Sequence, residues 1–430
     1  MMRKSSRVRS LGCSTLAVVA VTTLALSGCS PTSTPKATDT SSPGNGAGTI
    51  EQITWANTNF GDPTEGPKLQ AMIDSFNSSH PTIHVSEANI PFPTFDQTVI
   101  TQLAGGAGPD VIRWDTPGFF QAAKAGLLTP LTNTIDAKKL GLRPAPDKYT
   151  IVNGVRYGVV EGETPYMLLY NKSIIQTPPT NFEQFLATAK AATKNGVYGF
   201  GVRTTLPQAP GMWQDLCNYV FGFGGDWSNG HKLTINSANV IKGLNAYKQV
   251  VDAGVIPKGA TASTYRSMMY AGKLAMEIDA GGIADNAASA KPPVLLGGAP
   301  IPFPVKKVGE ILSMDAVSGT TKHKQAAETF LKWLLTPAAQ HMILDASSTG
   351  TSVATNVKLT SAELAAKPLT SVFAKAGQSA EPQVIRGYEG QTDAISLAIV
   401  TKVIAALQGE DMQKAMDEAQ QQAATIIANG

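Results

Sequence analysis

Cysteine is almost absent: Cys13, Cys29 and Cys217 are the only three in 430 residues. So few thiols cannot build a disulfide framework, and the core must be held by burial alone. Histidine is nearly as scarce. His80 and His84 have i, i+4 spacing, but Pro81 breaks any shared helical face, and with the other histidines scattered no metal site is expected. Nucleotide fingerprints are missing too, because Gly222-x-Gly224-Gly225 has neither the Walker lysine nor the dinucleotide spacing, so no cofactor is expected. There is no internal repeat and no heptad run.

What the N-terminus does contain is a leader. Arg3, Lys4, Arg7 and Arg9 precede an uncharged apolar stretch from Leu11 to Leu26. This reads as a signal peptide over residues 1–28, since the apolar core is shorter than the roughly 18 to 20 residues a spanning helix needs. Nothing later in the chain reads as a second span. Leu26-Ser27-Gly28-Cys29 resembles the bacterial lipoprotein motif, in which the cysteine thiol is lipidated and becomes the new N-terminus. Residues 29–49, rich in Ser, Thr, Pro and Gly, bury too little to offset chain entropy and are expected to act as a flexible tether. Removing the four basic leader residues from the 35 Lys+Arg leaves 31 against 32 Asp+Glu. A chain so nearly neutral is not expected to bind nucleic acid. Cys13 leaves with the leader and Cys29 carries lipid, so Cys217, flanked by Leu216 and Tyr219-Val220-Phe221, reads as a buried structural thiol.

From Ile50 onward about 380 residues remain, too many for one ordinary core and suited to two lobes. Short apolar strands alternate with amphipathic helices. Ile53 and Trp55 open a strand; Leu69, Met72, Ile73 and Phe76 follow at helical spacing until Asn77-Ser78-Ser79 and Pro81; Ile83 and Val85 alternate as a second strand. The turn Gly105 to Pro109 releases the chain into Asp110-Val111-Ile112-Arg113-Trp114-Asp115, a third strand. This β-α-β-α order predicts an α/β fold on largely parallel sheets. Thr180 to Glu183 reads as a capping box before Phe182, Phe185, Leu186 and Ala189. Thr336-Pro337 starts a helix, and the last forty residues read as two closing helices.

The order of five passages resembles the extracellular solute-binding proteins of ABC importers, in the sugar-binding branch that includes maltose-binding protein. The passages are Gly108-Pro109-Asp110-Val111-Ile112 to Trp114 with Ala125 to Leu131; Leu168-Leu169-Tyr170-Asn171-Lys172; Phe223-Gly224-Gly225; Ala271-Gly272-Lys273-Leu274-Ala275-Met276; and Lys322 to Leu335 with its Phe-x-x-Trp-Leu ending at Phe330 to Leu334. The resemblance runs from about Ile50 to Ile427. It implies a type II periplasmic-binding-protein-like fold with two lobes that close by hinge motion on a ligand between them. By the same analogy the crossovers fall near Val159 to Gly162, Pro300 to Pro304 and Ser347 to Ser352. Residues 50–160 and 303–348 would form the N-terminal lobe, and residues 161–302 and 349–430 the C-terminal lobe. Pro300-Ile301-Pro302-Phe303-Pro304 independently reads as an extended linker.

Sugars are held by aromatic faces against their C–H sides, with carboxylate, amide and guanidinium groups on the hydroxyls. Those residue types recur at strand ends. Asn57, Asn59 and Phe60 follow the first strand, either as ligand contacts or as a polar turn. Trp114 and Asp115 end a buried strand where the family places ligand. Glu161, Glu163 and Tyr166 flank the first crossover, with Glu163 favoured as a hydroxyl acceptor. Trp213, Asp226 and Trp227 surround a Gly-rich turn, as contacts or as cover for the lobe's core. Asp279 and Gly281 follow the Ala-Met strand, where relatives often place a Trp that is missing here. Arg386 and Tyr388 precede a long helix that closes the cleft in relatives.

The expectation is therefore an exported, lipid-anchored, monomeric component of an ABC importer that hands a small hydrophilic solute, a carbohydrate, to the permease. Its contact with the membrane is through the lipid only. The rival ligands are a polyol, a glycerol phosphate diester or a polyamine: a polyamine site would be a box of acids and aromatics, a phosphate site a cluster of Arg or helix N-termini. A secreted glycoside-active enzyme using Glu161 and Glu163, two apart on one strand face, is the remaining alternative, and catalysis is not expected.

Overall fold

The computed structural model describes residues 50–63, 65–347 and 357–429. The leader, Cys29 and the tether lie outside the described residues, as does the third expected crossover beyond Ser347. In chain order the strands of the two main sheets are β1 (Glu51–Asn57), β2 (Ile83–Asn89), β3 (Val111–Trp114), β4 (Gly158–Pro165), β5 (Met167–Asn171), β6 (Tyr198–Gly201), β7 (Leu274–Asp279), β8 (Leu296–Ala299), β9 (Val308–Val317) and β10 (Ala380–Pro382). The helices that position the site are α1 (Gly66–Ser79), α2 (Phe95–Ala104), α3 (Thr116–Lys124), α4 (Phe182–Ala192), α5 (Ala209–Gly222), α6 (Ala262–Tyr270), α7 (Gly282–Ser289), α8 (Lys324–Leu334) and α9 (Thr392–Leu407).

The first sheet runs β10-β9-β3-β1-β2, with β4 also paired to β9; the second runs β8-β5-β7-β6. This is the expected α/β architecture of two sheets, each with its own core. Parallel pairing joins β1 to β2 and β3, β9 to β10, and β6 to β7; the other pairs are antiparallel. The second sheet is thus mixed. Its β5 follows β4 after Tyr166 alone, so the chain leaves the first sheet for the second without a helix between them. The passage between sheets lies at Tyr166, a few residues beyond Val159 to Gly162, because β4 stays paired to β9 as far as Pro165. The return runs from Ala299 in β8 to Val308 in β9, through buried Ile301 and Phe303.

The periodicities seen in the sequence become the two cores. Leu69, Met72, Ile73 and Phe76 of α1 pack on the first sheet, where Phe330 of α8 meets Trp55 and Phe76 edge-on at 5.3 and 4.9 Å. Each such side chain, fully buried, contributes about 1.5–3 kcal/mol. The second core gathers Phe185, Phe200, Leu216, Val220 and Tyr247 around β5–β7. Cys217 is a free, buried thiol there, accepting from Trp227 Nε1 at 3.3 Å, and burial pushes its pKa well up, away from nucleophilic use.

Two local readings are corrected. The cap of α4 is Asn181, with an extended backbone and a side chain that accepts from Gln184 N at 2.9 Å, while Gln184 Oε1 accepts from Thr180 N; the return bond goes to the residue before the cap, so the expected box from Thr180 to Glu183 does not form. Glu389–Leu407 is long and apolar enough to cross a membrane. It serves instead as a core helix, with Ile395, Ile399, Val400 and Val403 buried in the second core.

Candidate functional site

A cleft of about 280 Å³ opens where the C-terminal ends of β1, β3 and β7 meet the start of α5 and one face of α6. Its first wall is built from the turn after β1. Asn57 Oδ1 accepts from Asn59 N at 2.9 Å, fixing the tight turn that carries Thr58 and Asn59 into the cleft. Asn59 Nδ2 then donates to Glu65 Oε2 at 2.7 Å, and Asp62 Oδ1 accepts from Glu65 N at 2.9 Å. Gly66 is required behind them, since a Cβ there would stand 2.3 Å from the Phe60 carbonyl oxygen. Burial, with the nearby Asp62 carboxylate, pushes Glu65 up to about 7.

Three guanidinium groups organise the rest, and each is held by carboxylates. Arg113 on β3 donates to Asp115 and Glu161, both at 3.0 Å, and to Ser313 Oγ. Behind it Trp55 Nε1 donates to Asp315 at 3.0 Å, and burial beside Glu161 raises the Asp315 carboxyl far above its ordinary range. Arg203, two residues past β6, forks onto Asp215 through its backbone N at 2.9 Å and Nη1 at 2.6 Å. Arg266 on α6 grips Asp279 through Nε at 3.0 Å and Nη2 at 2.9 Å. Burial works against ionising Asp279, but Arg266 and Arg203 hold its pKa down, while its β7 neighbour Glu277 is forced up by burial and by Asp279 itself. Tyr166 completes the floor, its hydroxyl donating to Gln214 Oε1 at 3.0 Å.

Asn59, Asp115, Tyr166 and Asp279 line this cleft, and Gly281 directly precedes lining residue Gly282. Asn57 and Phe60 support the turn from beneath, buried. Trp114 is wholly buried and meets Phe95 edge-on at 5.8 Å, so it offers no stacking face: on a strand alternating sides, Arg113 and Asp115 point to the cleft and Trp114 into the core. Trp227 is likewise enclosed, packed on Trp213 at 4.8 Å. Trp213 borders an adjoining chamber and donates from Nε1 to the Gln383 carbonyl at 2.9 Å.

Glu163 pairs with Arg143 and does not line the cleft; its neighbour Thr164 does. Glu161 and Glu163 do not act together either, because a bulge opposite Ser313/Met314 makes Glu161 an extra residue and breaks the alternation that would set both on one face. Asp226, Arg386 and Tyr388 gather elsewhere, with Arg386 donating to Asp226 at 2.6 Å and Tyr388 to the His231 carbonyl at 2.8 Å. Arg203, Arg266, Asp62, Glu65 and Tyr270 were not among the expected residues. Arg203 had a signal, its place just past the end of β6; Arg266 and Tyr270 lie i, i+4 on a helix face that only the packing turns toward the cleft.

Residues 71–372 match the profile of the bacterial extracellular solute-binding proteins, which is well over half of the chain. The chain belongs to that family. No curated protein matches it by sequence. Among solved structures, this solute-binding protein is similar to the maltose-bound MalE3 of T. maritima, with TM-score 0.78 and 18% identity over 87% of this chain and 99% of the other. It is also similar to the GacH receptor of Streptomyces glaucescens, solved unliganded and with acarbose, at TM-score 0.75 and 19% identity over 87% and 98%. An ABC substrate-binding protein of Listeria monocytogenes in complex with cycloalternan gives TM-score 0.74 and 20% identity over 88% and 99%. The family and these neighbours are binding proteins rather than enzymes, and the fold they share with this chain is the two-lobe solute-binding fold.

Proposed function

We propose that this protein is the substrate-binding component of an ABC importer, reversibly holding a sugar or oligosaccharide in the cleft and delivering it to the permease as a monomer without catalysis. The observation that carries this reading is the cleft itself. Arg113–Asp115 and Arg266–Asp279 present planar, prepaired groups to ring hydroxyls, Asn59 and Gln214 add amides, and Tyr166 and Tyr270 supply rings. Groups already satisfied by each other can share hydrogen bonds with hydroxyls without being stranded when ligand leaves, which suits a carrier. The maltose, acarbose and cycloalternan bound by the similar structures point the same way.

A division into residues 50–160 with 303–348, and 161–302 with 349–430, would put the hinge near the passages between the sheets at Tyr166 and at Ala299 to Val308, with β4 as far as Pro165 and β10 staying on the first sheet. Lipidation of Cys29 would hold the protein at the outer face of the membrane, and metabolic labelling with palmitate, lost in Cys29→Ser, tests that anchor. The function is tested by thermal shift and calorimetry against mono- and oligosaccharides, polyols, glycerol phosphates and polyamines. Ligand at about 100 times its dissociation constant adds roughly 2.7 kcal/mol to stability. A shift with saccharides is expected; a shift confined to glycerol phosphates or polyols replaces the carbohydrate assignment while keeping the importer role.

A further inference from the structure

At one corner of the polar cleft, helices that belong to different sheets meet. Glu65 and Gly282 both line the cleft there. Glu65 directly precedes α1, which packs on the first sheet through Leu69, Met72 and Ile73; Gly282 opens α7, whose Ile283 and Ala287 pack on the second sheet with Met167 and Leu274. The approach is close, since a Cβ on Gly282 would stand 3.0 Å from Glu65 Oε1. Three positions on, and so on the same helix faces, Lys68 and Asp285 continue the seam outside the cleft lining.

Lys367 fills that seam. Its ammonium donates to the Leu344 and Asp345 carbonyls at 2.7 and 2.6 Å, lies 3.7 Å from Asp345 Oδ1 and reaches Asp285 Oδ2 at 3.9 Å. The two carbonyls stand in the last turn of the helix Pro337–Ser347, where negative partial charge accumulates, and that helix joins the first core through Ile343 and Ala346. Lys367 is anchored on the other side: Leu369, two residues on, packs against the core that holds Ile283 and Phe373. Its side chain is only 11% exposed, so these are charge-assisted bonds shielded from water rather than a surface pair of little worth. Lys68 also donates to the Asp345 carbonyl, at 2.8 Å, but α1 and the helix Pro337–Ser347 share the first core, so that bond stays within one unit.

We propose that Lys367 is a clasp between the two lobes: its ammonium ties the end of the helix Pro337–Ser347 to α7, holds the Glu65–Gly282 edge of the cleft shut, and must let go before ligand leaves. The inference rests on the two-lobe carrier reading and on no particular ligand. Opening draws the ammonium from two carbonyls and two carboxylates at once, so the closed state outlasts what ligand contacts alone would give.

The test is the distance between spin labels at Ala71→Cys on α1 and Ala288→Cys on α7, both exposed, in a Cys13→Ser/Cys29→Ser chain whose remaining Cys217 is buried. Without ligand, Lys367→Gln is expected to lengthen this distance by more than about 2 Å, Lys367→Arg to restore it, and Lys68→Gln to leave it unchanged. Asp285→Asn loosens the α7 end of the clasp and should lengthen it too, which keeps the test intact if Lys367→Gln fails to fold, as checked by melting temperature. An unchanged distance in Lys367→Gln with a lowered melting temperature makes Lys367 a helix cap only and overturns the proposal. An equal lengthening in Lys68→Gln overturns it as well, because loss of any cation at Asp345 would then suffice. For a saccharide that the wild type binds, dissociation should quicken about tenfold in Lys367→Gln with association little changed; unaltered dissociation overturns the clasp. Absence of binding to every saccharide overturns the carbohydrate function, and the ligand-free distances still decide the clasp.

Discussion

The two adjoining chambers solve the problem of buried charge in opposite ways. In the polar cleft every guanidinium is matched to a carboxylate at 2.6–3.0 Å. In the neighbouring chamber, among the described residues, neither the Asp96 nor the Asp393 carboxyl pairs with a cationic side chain. A site that is complete without ligand gains specificity from geometry, because ligand must meet preset forks and amides.

Breaking a matched pair should have the largest effect. Arg203→Ala leaves Asp215 and Asp279 buried beside one another and is expected to cost about 3–5 kcal/mol in urea denaturation. The incomplete chamber should show itself next, through pH. Asp393 has a folded pKa raised from 3.8 to about 6, so the native state binds more protons than the unfolded chain between those values and stability falls as pH rises through that window. The wild type should lose about 2–3 kcal/mol relative to Asp393→Asn between pH 4 and pH 7. An identical pH profile in the two would erase the contrast between the chambers. Arg266→Lys keeps the charge but removes the fork onto Asp279, and saccharide affinity should fall by about 1–2 kcal/mol by calorimetry. Asp226→Asn should do least: its partner Arg386 is about half exposed, so the change is expected to cost under about 1 kcal/mol and leave affinity unaltered.

Much of the fold was legible because hydrophobic period and turn chemistry are local. The strand at Ile53–Trp55, the face of α1, the strand into Trp114 and the two closing helices all stand where their spacing placed them. The site was only partly legible. Asn59, Asp115, Tyr166 and Asp279 line the candidate cleft because they end strands or join the sheets, and strand ends converge on such clefts. The tryptophans misled: residue type made them candidate stacking faces, whereas Trp114 and Trp227 are wholly buried. Glu163 misled through a bulge that resets which side of β4 faces ligand.

The amino-acid sequence by itself determined that the chain builds α/β sheets and which family order its segments follow. Those properties live in runs of neighbouring residues, where charge, apolar period and Gly/Pro punctuation act over a few positions. Only the tertiary structure decided which carboxylates are matched and which are left open. Arg113 meets Glu161 across 48 positions, and Trp55 meets Asp315 across 260. A group's ionisation and its use depend on what burial brings beside it, and that is a property of distance in space rather than along the chain.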